Sequence, residues 1–209
     1  HATAVLTDYF QPIQVGVGTP GGGEAAVHAT RRFVESMPVG HCVVKLDFTN
    51  AFNSLDRGAM LDAVKQRVPG IYKFCHLSYS QPSVLGYMDR IIMSQEGSQQ
   101  GDPLGPAMFC STIQPLLLSL ASELREAYMD DLTLGGPEAQ VARDVETVRR
   151  KGEAIGLRLN DKKCEFISGT AQSSDPAFQH FVHLAVDSAE LLGAPLTTGP
   201  AMDRALGRR

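Results

Sequence analysis

Three aspartates carry the side chains best suited to chemistry in this sequence. Asp130 and Asp131 end the run Tyr128–Asp131, which lies at the tip of a predicted β-hairpin, and Asp47 directly follows a predicted apolar strand at 42–46. Three carboxylates gathered at strand ends repel one another and take up protons unless a cation neutralises them. Mg²⁺ prefers such oxygen ligands, and two ions about 4 Å apart catalyse nucleotidyl transfer. The pattern therefore predicts a two-metal site.

An Asp-Asp pair can also belong to an ordinary solvated turn, so the neighbouring motifs decide between the two interpretations. Residues 45–56 place an aromatic side chain shortly after Asp47, and residues 96–106 hold a Gln-Gly pair before a predicted helix. These segments resemble motifs A and B of reverse transcriptases, and Tyr128–Asp131 resembles motif C. Three further segments are similar to motif D, the last palm segment and part of the fingers of the non-LTR retrotransposon enzymes: 156–165, 191–196 and 14–18.

The resemblance implies a role for each matching residue. Asp47, Asp130 and Asp131 would be catalytic and would ligate two Mg²⁺ ions, which Mn²⁺ can replace, with the Phe48 carbonyl as a further ligand. One ion lowers the pKa of the primer 3′-hydroxyl, and the other steadies the pyrophosphate leaving group. Lys163 aligns with a motif D lysine that protonates pyrophosphate. An ordinary solvated lysine is the alternative for that position.

The same resemblance predicts five residues that contact the incoming nucleotide: Phe48, Asn50, Phe52, Gln100 and Gly101. It places Phe52 beneath the sugar, where the ring would clash with a 2′-hydroxyl and so favour deoxynucleotides. A core aromatic is the alternative for Phe52. Gln100 and Gly101 would lie against the nascent base pair and supply hydrogen bonds that do not depend on sequence.

The periodicity of the chain predicts an α+β domain, with helices on one face of an antiparallel sheet. A helix is expected to open at Pro137, with Val141, Val145 and Val148 inward, and the helix at 104–124 should kink at Pro115. The other expected elements are helices at 24–37, 57–67 and 71–80, a hairpin at 84–94 and a strand at 164–167. The resemblance implies one reverse transcriptase domain over 1–209: part of the fingers at about 1–40, a right-hand polymerase palm at about 41–200, and no thumb.

Composition agrees with one domain and sets limits on partners. The 209 residues are 43% hydrophobic, which is enough for a substantial core. The net charge of −4 is unusual for a protein that holds nucleic acid, although basic residues cluster at 31–32, 149–151 and 162–163. The four cysteines show no Cys-x-x-Cys spacing and are predicted to be reduced and buried. No apolar run approaches about 18 residues, so no membrane span is expected.

The resemblance implies an RNA-directed DNA polymerase whose partners are an RNA template, a DNA primer and dNTPs. Because the sequence opens on His1 and stops soon after the last palm segment, we expect a partial domain. Thumb, endonuclease and nucleic-acid-binding segments would belong to a larger polyprotein, and the isolated chain should polymerise weakly. An intracellular location is expected, nuclear in a eukaryote. The alternatives are an inactive remnant or nucleic-acid-binding scaffold, and another two-metal palm enzyme such as an RNA-dependent RNA polymerase.

Overall fold

The computed structural model describes residues 2–207, and the terminal positions of the predicted domain, 1 and 208–209, lie outside that range. The helices are α1 Ala2–Phe10, α2 Gly22–Glu35, α3 Ala51–Ser54, α4 Arg57–Arg67, α5 Pro69–Tyr79, α6 Gly105–Leu118, α7 Glu138–Glu153 and α8 Pro200–Gly207. The strands are β1 His41–Leu46, β2 Ser83–Tyr87, β3 Arg90–Ser94, β4 Leu124–Tyr128, β5 Asp131–Pro137, β6 Glu165–Ser168, β7 Val182–Ala185, β8 Glu190–Leu191 and β9 Ala194–Pro195.

A five-stranded sheet forms the centre, in the order β4-β5-β1-β6-β7. Every pair is antiparallel except β6–β7, which is parallel. β1 is the middle strand, and its apolar run Cys42–Val44 is fully buried, as expected for a strand covered on both faces. The register Leu46↔Leu132 brings the end of β1 beside the start of β5. The predicted α+β class is confirmed.

The two faces of this sheet carry different layers. On β1, Cys42, Val44 and Leu46 pack into the main core, which includes apolar residues of α1, α4, α5, α6 and α7. Val43 points the other way and packs with Val27 and other residues of α2 and of the β8–β9 hairpin. The prediction of helices on one face therefore holds for those five helices, whereas α2 lies on the opposite face. Alternation of side chains along a strand produces this division.

The helix after motif B is shorter than predicted. α6 ends at Leu118, and Leu124, the expected last residue of the helix, is the first residue of β4. Asp144 of α7 explains the change in direction, because its Oδ2 accepts bonds from the main-chain N–H groups of Ala121 and Ser122 at 2.8 and 2.6 Å. Backbone donors that a longer helix would have used internally are satisfied by this carboxylate instead. The local sequence does not reveal a partner so distant along the chain.

The remaining predicted elements are present with small shifts of their ends. α4 has the predicted bounds, and Val141, Val145 and Val148 of α7 are fully buried. The predicted hairpin at 84–94 is β2–β3, a two-stranded ribbon separate from the central sheet. α1 and β7 were not predicted. Within residues 2–207, no helix combines the length and the apolar character that crossing a membrane requires.

Candidate active site

Asp47 stands at the end of β1, and the motif D loop fixes its main chain. The Asp47 carbonyl accepts a bond from Asn160 N at 2.8 Å, and its N–H approaches Cys164 Sγ at 3.4 Å. Thr49 N donates to Arg158 O at 2.8 Å, which closes a short antiparallel bridge between the two segments. The motif D loop thus holds the main chain that carries the Asp47 carboxylate.

The β4–β5 hairpin presents the other two carboxylates. Tyr128 pairs with Asp131, so Met129 and Asp130 form a two-residue turn, with Met129 at φ 56°. Gln14 holds this turn, because its Oε1 accepts from Met129 N at 2.7 Å and its Nε2 donates to Met129 O at 3.0 Å. A Cβ on Gly16 would meet Met129 N at 2.5 Å, so a side chain there would clash with the turn. The approach of segment 14–16 to the turn therefore depends on this glycine.

Charge repulsion links the three aspartates. Burial raises the pKa of Asp130, and Asp47 raises it further. Burial, Asp130 and Asp47 together raise the pKa of Asp131, while Lys45 opposes them. Lys45 is itself paired with Glu165 at 2.8 Å. A site that disfavours its own negative charges suits a cation.

The carboxylate oxygens at this edge are the ligand type that hard divalent cations prefer. Within residues 2–207, however, no three His, Cys, Asp or Glu side chains are already arranged to hold a metal ion. The antiparallel bridge pairs Phe48 with Leu159, but its two hydrogen bonds use Asp47 O and Thr49 N and not the carbonyl of Phe48, the fourth predicted ligand. The donor set therefore fits the predicted metal in chemistry, while the final ligand geometry would require side-chain adjustment.

Lys163 lies on the turn between Asn160 and Cys164, with its N–H bonded to Asn160 O at 2.8 Å. Its side chain is exposed. The same turn contacts the main chain of Asp47, so the lysine is carried by the loop that braces the catalytic edge. Its predicted role as a proton donor stays a prediction.

Three of the predicted nucleotide contacts line one cavity of about 420 Å³, namely Phe52, Gln100 and Gly101. The Phe52 ring stacks on buried Phe109 with centroids 4.5 Å apart and planes 22° apart. One face of the ring therefore packs on the core, as the alternative interpretation required, while the residue also borders the cavity. The other two predicted contacts, Phe48 and Asn50, do not line this cavity: the Phe48 side chain is buried, and Asn50 is exposed at φ 49°.

Two glycines closely approach the main chain of helix α3, which carries Phe52. Gly97 is so close that an added Cβ would lie 2.2 Å from Phe52 O, and Gly156 so close that one would lie 2.3 Å from Ser54 O. Both glycines have positive φ, 63° and 85°. Gly97 N also donates to Leu55 O at 2.8 Å. The main chain beneath the Phe52 ring therefore has little freedom to move.

Sequence reasoning missed the side chains that hold the motif B loop. Arg57 is buried, and its guanidinium donates to Gly97 O at 2.9 Å and to both Ser94 O and Ser94 Oγ at 2.8 Å. It also lies over the Tyr79 ring, 5.2 Å from the centroid. The Tyr79 hydroxyl donates a hydrogen bond to Asp102. Burial, and to a smaller extent this bond, raises the pKa of Tyr79 to about 12. No spacing rule marks these residues, because their partners lie on four separate segments.

The role of Gln14 was also missed, although its segment was noted. In the sequence alone, a glutamine two residues before a glycine does not indicate a contact with a turn. The pattern becomes informative only when the fold shows which turn lies beside it. Gln14 is fully buried and lies 115 residues from Met129 along the chain. Its contact is thus a product of the tertiary fold.

Comparison with known proteins places this geometry in a family. The profile described as "Reverse transcriptase (RNA-dependent DNA polymerase)" matches residues 5–196. The "Retrotransposable element SLACS 132 kDa protein" of Trypanosoma brucei gambiense is 26% identical over an alignment of 175 residues, and the match covers 78% of this chain and 14% of the relative. The chain therefore spans about one seventh of that relative's length.

Solved structures of telomerase share the fold. The Candida albicans telomerase in complex with a fragment of telomeric RNA has a TM-score of 0.60 at 10% identity, over 82% of this chain and 36% of that one. An apo telomerase of Candida tropicalis, truncated from its C-terminal domain, has a TM-score of 0.59 at 14% identity, over 83% and 41%. These similarities confirm the predicted polymerase palm and the fingers elements beside it. With the family profile covering nearly the whole sequence, they lead to one conclusion: the chain belongs to the reverse transcriptase family, the RNA-dependent DNA polymerases.

Proposed function

We propose that this chain catalyses template-directed transfer of deoxynucleotides from dNTPs to a primer 3′-hydroxyl, reading an RNA template. The observation that carries the proposal is the pairing of Leu46 with Leu132, which brings Asp47 to the same edge of the sheet as Asp130 and Asp131, where it raises the pKa of both. Structural ion-pair networks also perturb pKa values, but here the groups repel one another, and Lys45, which lowers the pKa of Asp131, is itself paired with Glu165. Membership of the reverse transcriptase family supports the same reaction.

Asp47, Asp130 and Asp131, with the Phe48 carbonyl, would hold two Mg²⁺ ions, or Mn²⁺ in their place. When bound, the ions would make the primer hydroxyl a better nucleophile and neutralise charge on the leaving pyrophosphate. The carboxylates themselves must be ionised for this, and a bound cation would relieve the mutual repulsion that contributes to the raised pKa values of Asp130 and Asp131. Lys163 would give its proton to the departing pyrophosphate.

The cavity beside Phe52 would select and orient the nucleotide. Phe52 is supported from behind by Phe109, so its ring would resist displacement by a 2′-hydroxyl and exclude ribonucleotides. Gln100 and Gly101 border the same cavity and would contact the nascent base pair. Asn50, at the start of α3, would contribute from the exposed side.

The proposed setting is a retrotransposon protein that acts inside the cell, in the nucleus if the host is a eukaryote. A 132 kDa retrotransposable-element protein is the relative in which 14% of the length matches this chain. Thumb, endonuclease and further nucleic-acid-binding segments would then belong to the same larger protein. They would supply the contacts that hold the duplex. A chain with a net charge of −4 gains little long-range attraction for a nucleic acid.

A primer-extension assay tests the proposal. The 209-residue chain, and a longer chain extended through a thumb, are given an RNA template, a DNA primer and either dNTPs or NTPs with Mg²⁺ or Mn²⁺. Asp130→Asn should lower extension on the order of a hundredfold or more, the size expected when one electrostatic stabiliser is removed. Asp89→Asn, at the exposed tip of β2–β3, is the matched control and should leave extension unchanged. In a chain whose unmodified form extends the primer, extension by Asp130→Asn at the level of Asp89→Asn would refute the assignment.

The sugar preference has its own variant. Phe52→Val should reduce the ratio of kcat/KM for dNTP over that for NTP, because the discrimination rests on a clash and not on a bond. An unchanged ratio would mean that Phe52 serves only the core contact with Phe109.

A further inference from the structure

One side chain from outside the catalytic hairpin holds its turn. The Gln14 amide contacts the N–H of Met129 at 2.7 Å and the carbonyl of Met129 at 3.0 Å. These atoms belong to the two peptide groups on either side of Met129, and the second group also contains the N–H of Asp130. Gln14 therefore fixes both peptide planes that lead into the first carboxylate of the pair.

The orientation of this amide is determined by its surroundings. Oε1 accepts from two main-chain donors, Met129 N and Gly16 N, the latter at 3.0 Å. A flipped amide would turn its NH₂ group toward two N–H donors, which cannot bond to it. Gln14 is also fully buried, and the next residue, Val15, is tied to β4 by a 2.8 Å bond from its N–H to Ala127 O.

The turn does not need Gln14 in order to form. Met88, at the tip of β2–β3, has φ 54°, nearly the same value as Met129 at 56°. No side chain in the described part of the protein bonds to the main chain of Met88. The hairpin connection alone is therefore sufficient for the turn conformation. What Gln14 adds is an anchor for the turn on the segment that bonds to Phe10 of α1 and to Ala127 of β4.

We propose that Gln14 is a positioning residue that holds Asp130 and Asp131 where, together with Asp47, they can share divalent cations. This inference rests on the proposed function. A neutral amide suits the position because it both accepts and donates, and because it adds no charge to a site where three carboxylates already repel one another. Loss of the Gln14 contacts would leave the fold intact and the turn formed, but the positions of the Asp130 and Asp131 carboxylates relative to Asp47 would become variable.

The test compares two buried glutamines by Mn²⁺ titration calorimetry on the 209-residue chain. Gln14→Met removes the clamp at similar volume. Gln114→Met removes an equally buried amide that donates to Tyr9 O and Phe10 O at 2.9 and 3.1 Å, away from the turn. Gln14→Met should weaken Mn²⁺ binding about 10- to 100-fold, as loss of a group that orients metal ligands typically does. Gln114→Met should leave the Mn²⁺ affinity unchanged while lowering the melting temperature by about as much as Gln14→Met does.

Asp130→Asn separates this inference from the proposed function. If Asp130→Asn binds Mn²⁺ as tightly as the unmodified chain, the metal site itself is wrong, and the positioning role falls with it. If Asp130→Asn loses Mn²⁺ but Gln14→Met binds it as Gln114→Met does, the metal site stands and the positioning role is refuted.

Should Gln14→Met fail to fold, Gln14→Asn keeps a neutral amide that is shorter by one methylene, so that it no longer reaches both Met129 N and Met129 O. It should also weaken Mn²⁺ binding, and unchanged affinity would count against the proposal. Hydrogen exchange gives a readout that needs no metal. The Met129 amide should exchange at least tenfold faster in Gln14→Met than in Gln114→Met, and equal rates would again overturn the inference.

Discussion

Two hairpins in this protein have almost the same tip sequence and opposite surroundings. The β4–β5 hairpin, which is the catalytic hairpin in the proposed function, turns through Tyr128-Met129-Asp130-Asp131, and β2–β3 turns through Tyr87-Met88-Asp89-Arg90. Both have a positive φ at the methionine and not at the aspartate, the pattern of a type II′ turn. Met88 is 89% exposed, whereas Met129 packs against the core. The tripeptide Tyr-Met-Asp thus specifies a turn, and the contacts around it create a site.

The strands below the two tips differ in the same way. On β5, Leu132 and Leu134 are buried in the main core. On the β2–β3 ribbon, six large apolar side chains are exposed: Val84, Leu85, Met88, Ile91, Ile92 and Met93. The ribbon is fastened mainly at its base, where Arg57 bonds to Ser94. The catalytic hairpin is therefore a layer of the domain, and β2–β3 is an appendage.

The largest expected difference is in stability. Leu134→Ala on the catalytic hairpin should lower the free energy of unfolding by about 2–5 kcal/mol, because it leaves a cavity in a closed core. Leu85→Ala on β2–β3 should change it by less than about 0.5 kcal/mol, since Leu85 is 47% exposed. Urea denaturation of both variants measures this. A Leu85→Ala loss as large as that of Leu134→Ala would show that the ribbon is packed against something in solution.

The second-largest expected difference between the two hairpin tips is in metal binding. A cation that binds only the folded state stabilises it by about 2.7 kcal/mol at a concentration of 100 times its Kd. Millimolar Mg²⁺ or Mn²⁺ should therefore raise the melting temperature of the unmodified chain and of Asp89→Asn, and the rise should be blunted in Asp130→Asn. Thermal denaturation with and without the ion measures the shift, and chelation should abolish it. The same rise in Asp130→Asn would place the bound ion elsewhere.

The smallest expected effect concerns Glu126, on the strand that leads to the catalytic turn. Burial raises the pKa of Glu126 to about 7. Because the folded state then binds this proton more tightly than the unfolded chain, stability should fall as pH rises from about 4.5 through 7. Glu126→Gln should be more stable than the unmodified chain by roughly 1–2 kcal/mol at pH 8, after allowance for solvent screening, and no more stable near pH 4.

Denaturation at the two pH values checks this difference. Glu35→Gln, which changes an exposed carboxyl on α2, is the control and should show the same small effect at both values. A pH-independent effect of Glu126→Gln would mean that the carboxyl is solvated in the folded state.

The contrast between the hairpins also explains what could be predicted from the sequence. The three aspartates were singled out by local patterns, an apolar strand before Asp47 and a hairpin tip at Asp130 and Asp131, and α4, whose cap at Asp56 is also local, has the predicted bounds. The end of α6 was missed because Asp144, which satisfies the backbone there, lies more than twenty residues away. The clamp by Gln14 and the Arg57–Tyr79 contact are longer-range still. Local patterns therefore singled out the candidate reacting groups, whereas the side chains that hold the segments around them could be identified only in the folded chain.

The glycine grip on α3 bears on how nucleotide choice could change over evolution. In many proteins a loop can shift to make room for a different substrate. Here Gly97 and Gly156 press on the main chain of α3 from two sides and accept no side chain of their own. The sugar preference proposed for Phe52 could then drift by replacement of that one ring, in place. A lineage of this domain could switch between deoxynucleotides and ribonucleotides through substitution of Phe52 alone, whereas substitutions at Gly97 and Gly156 would not be tolerated.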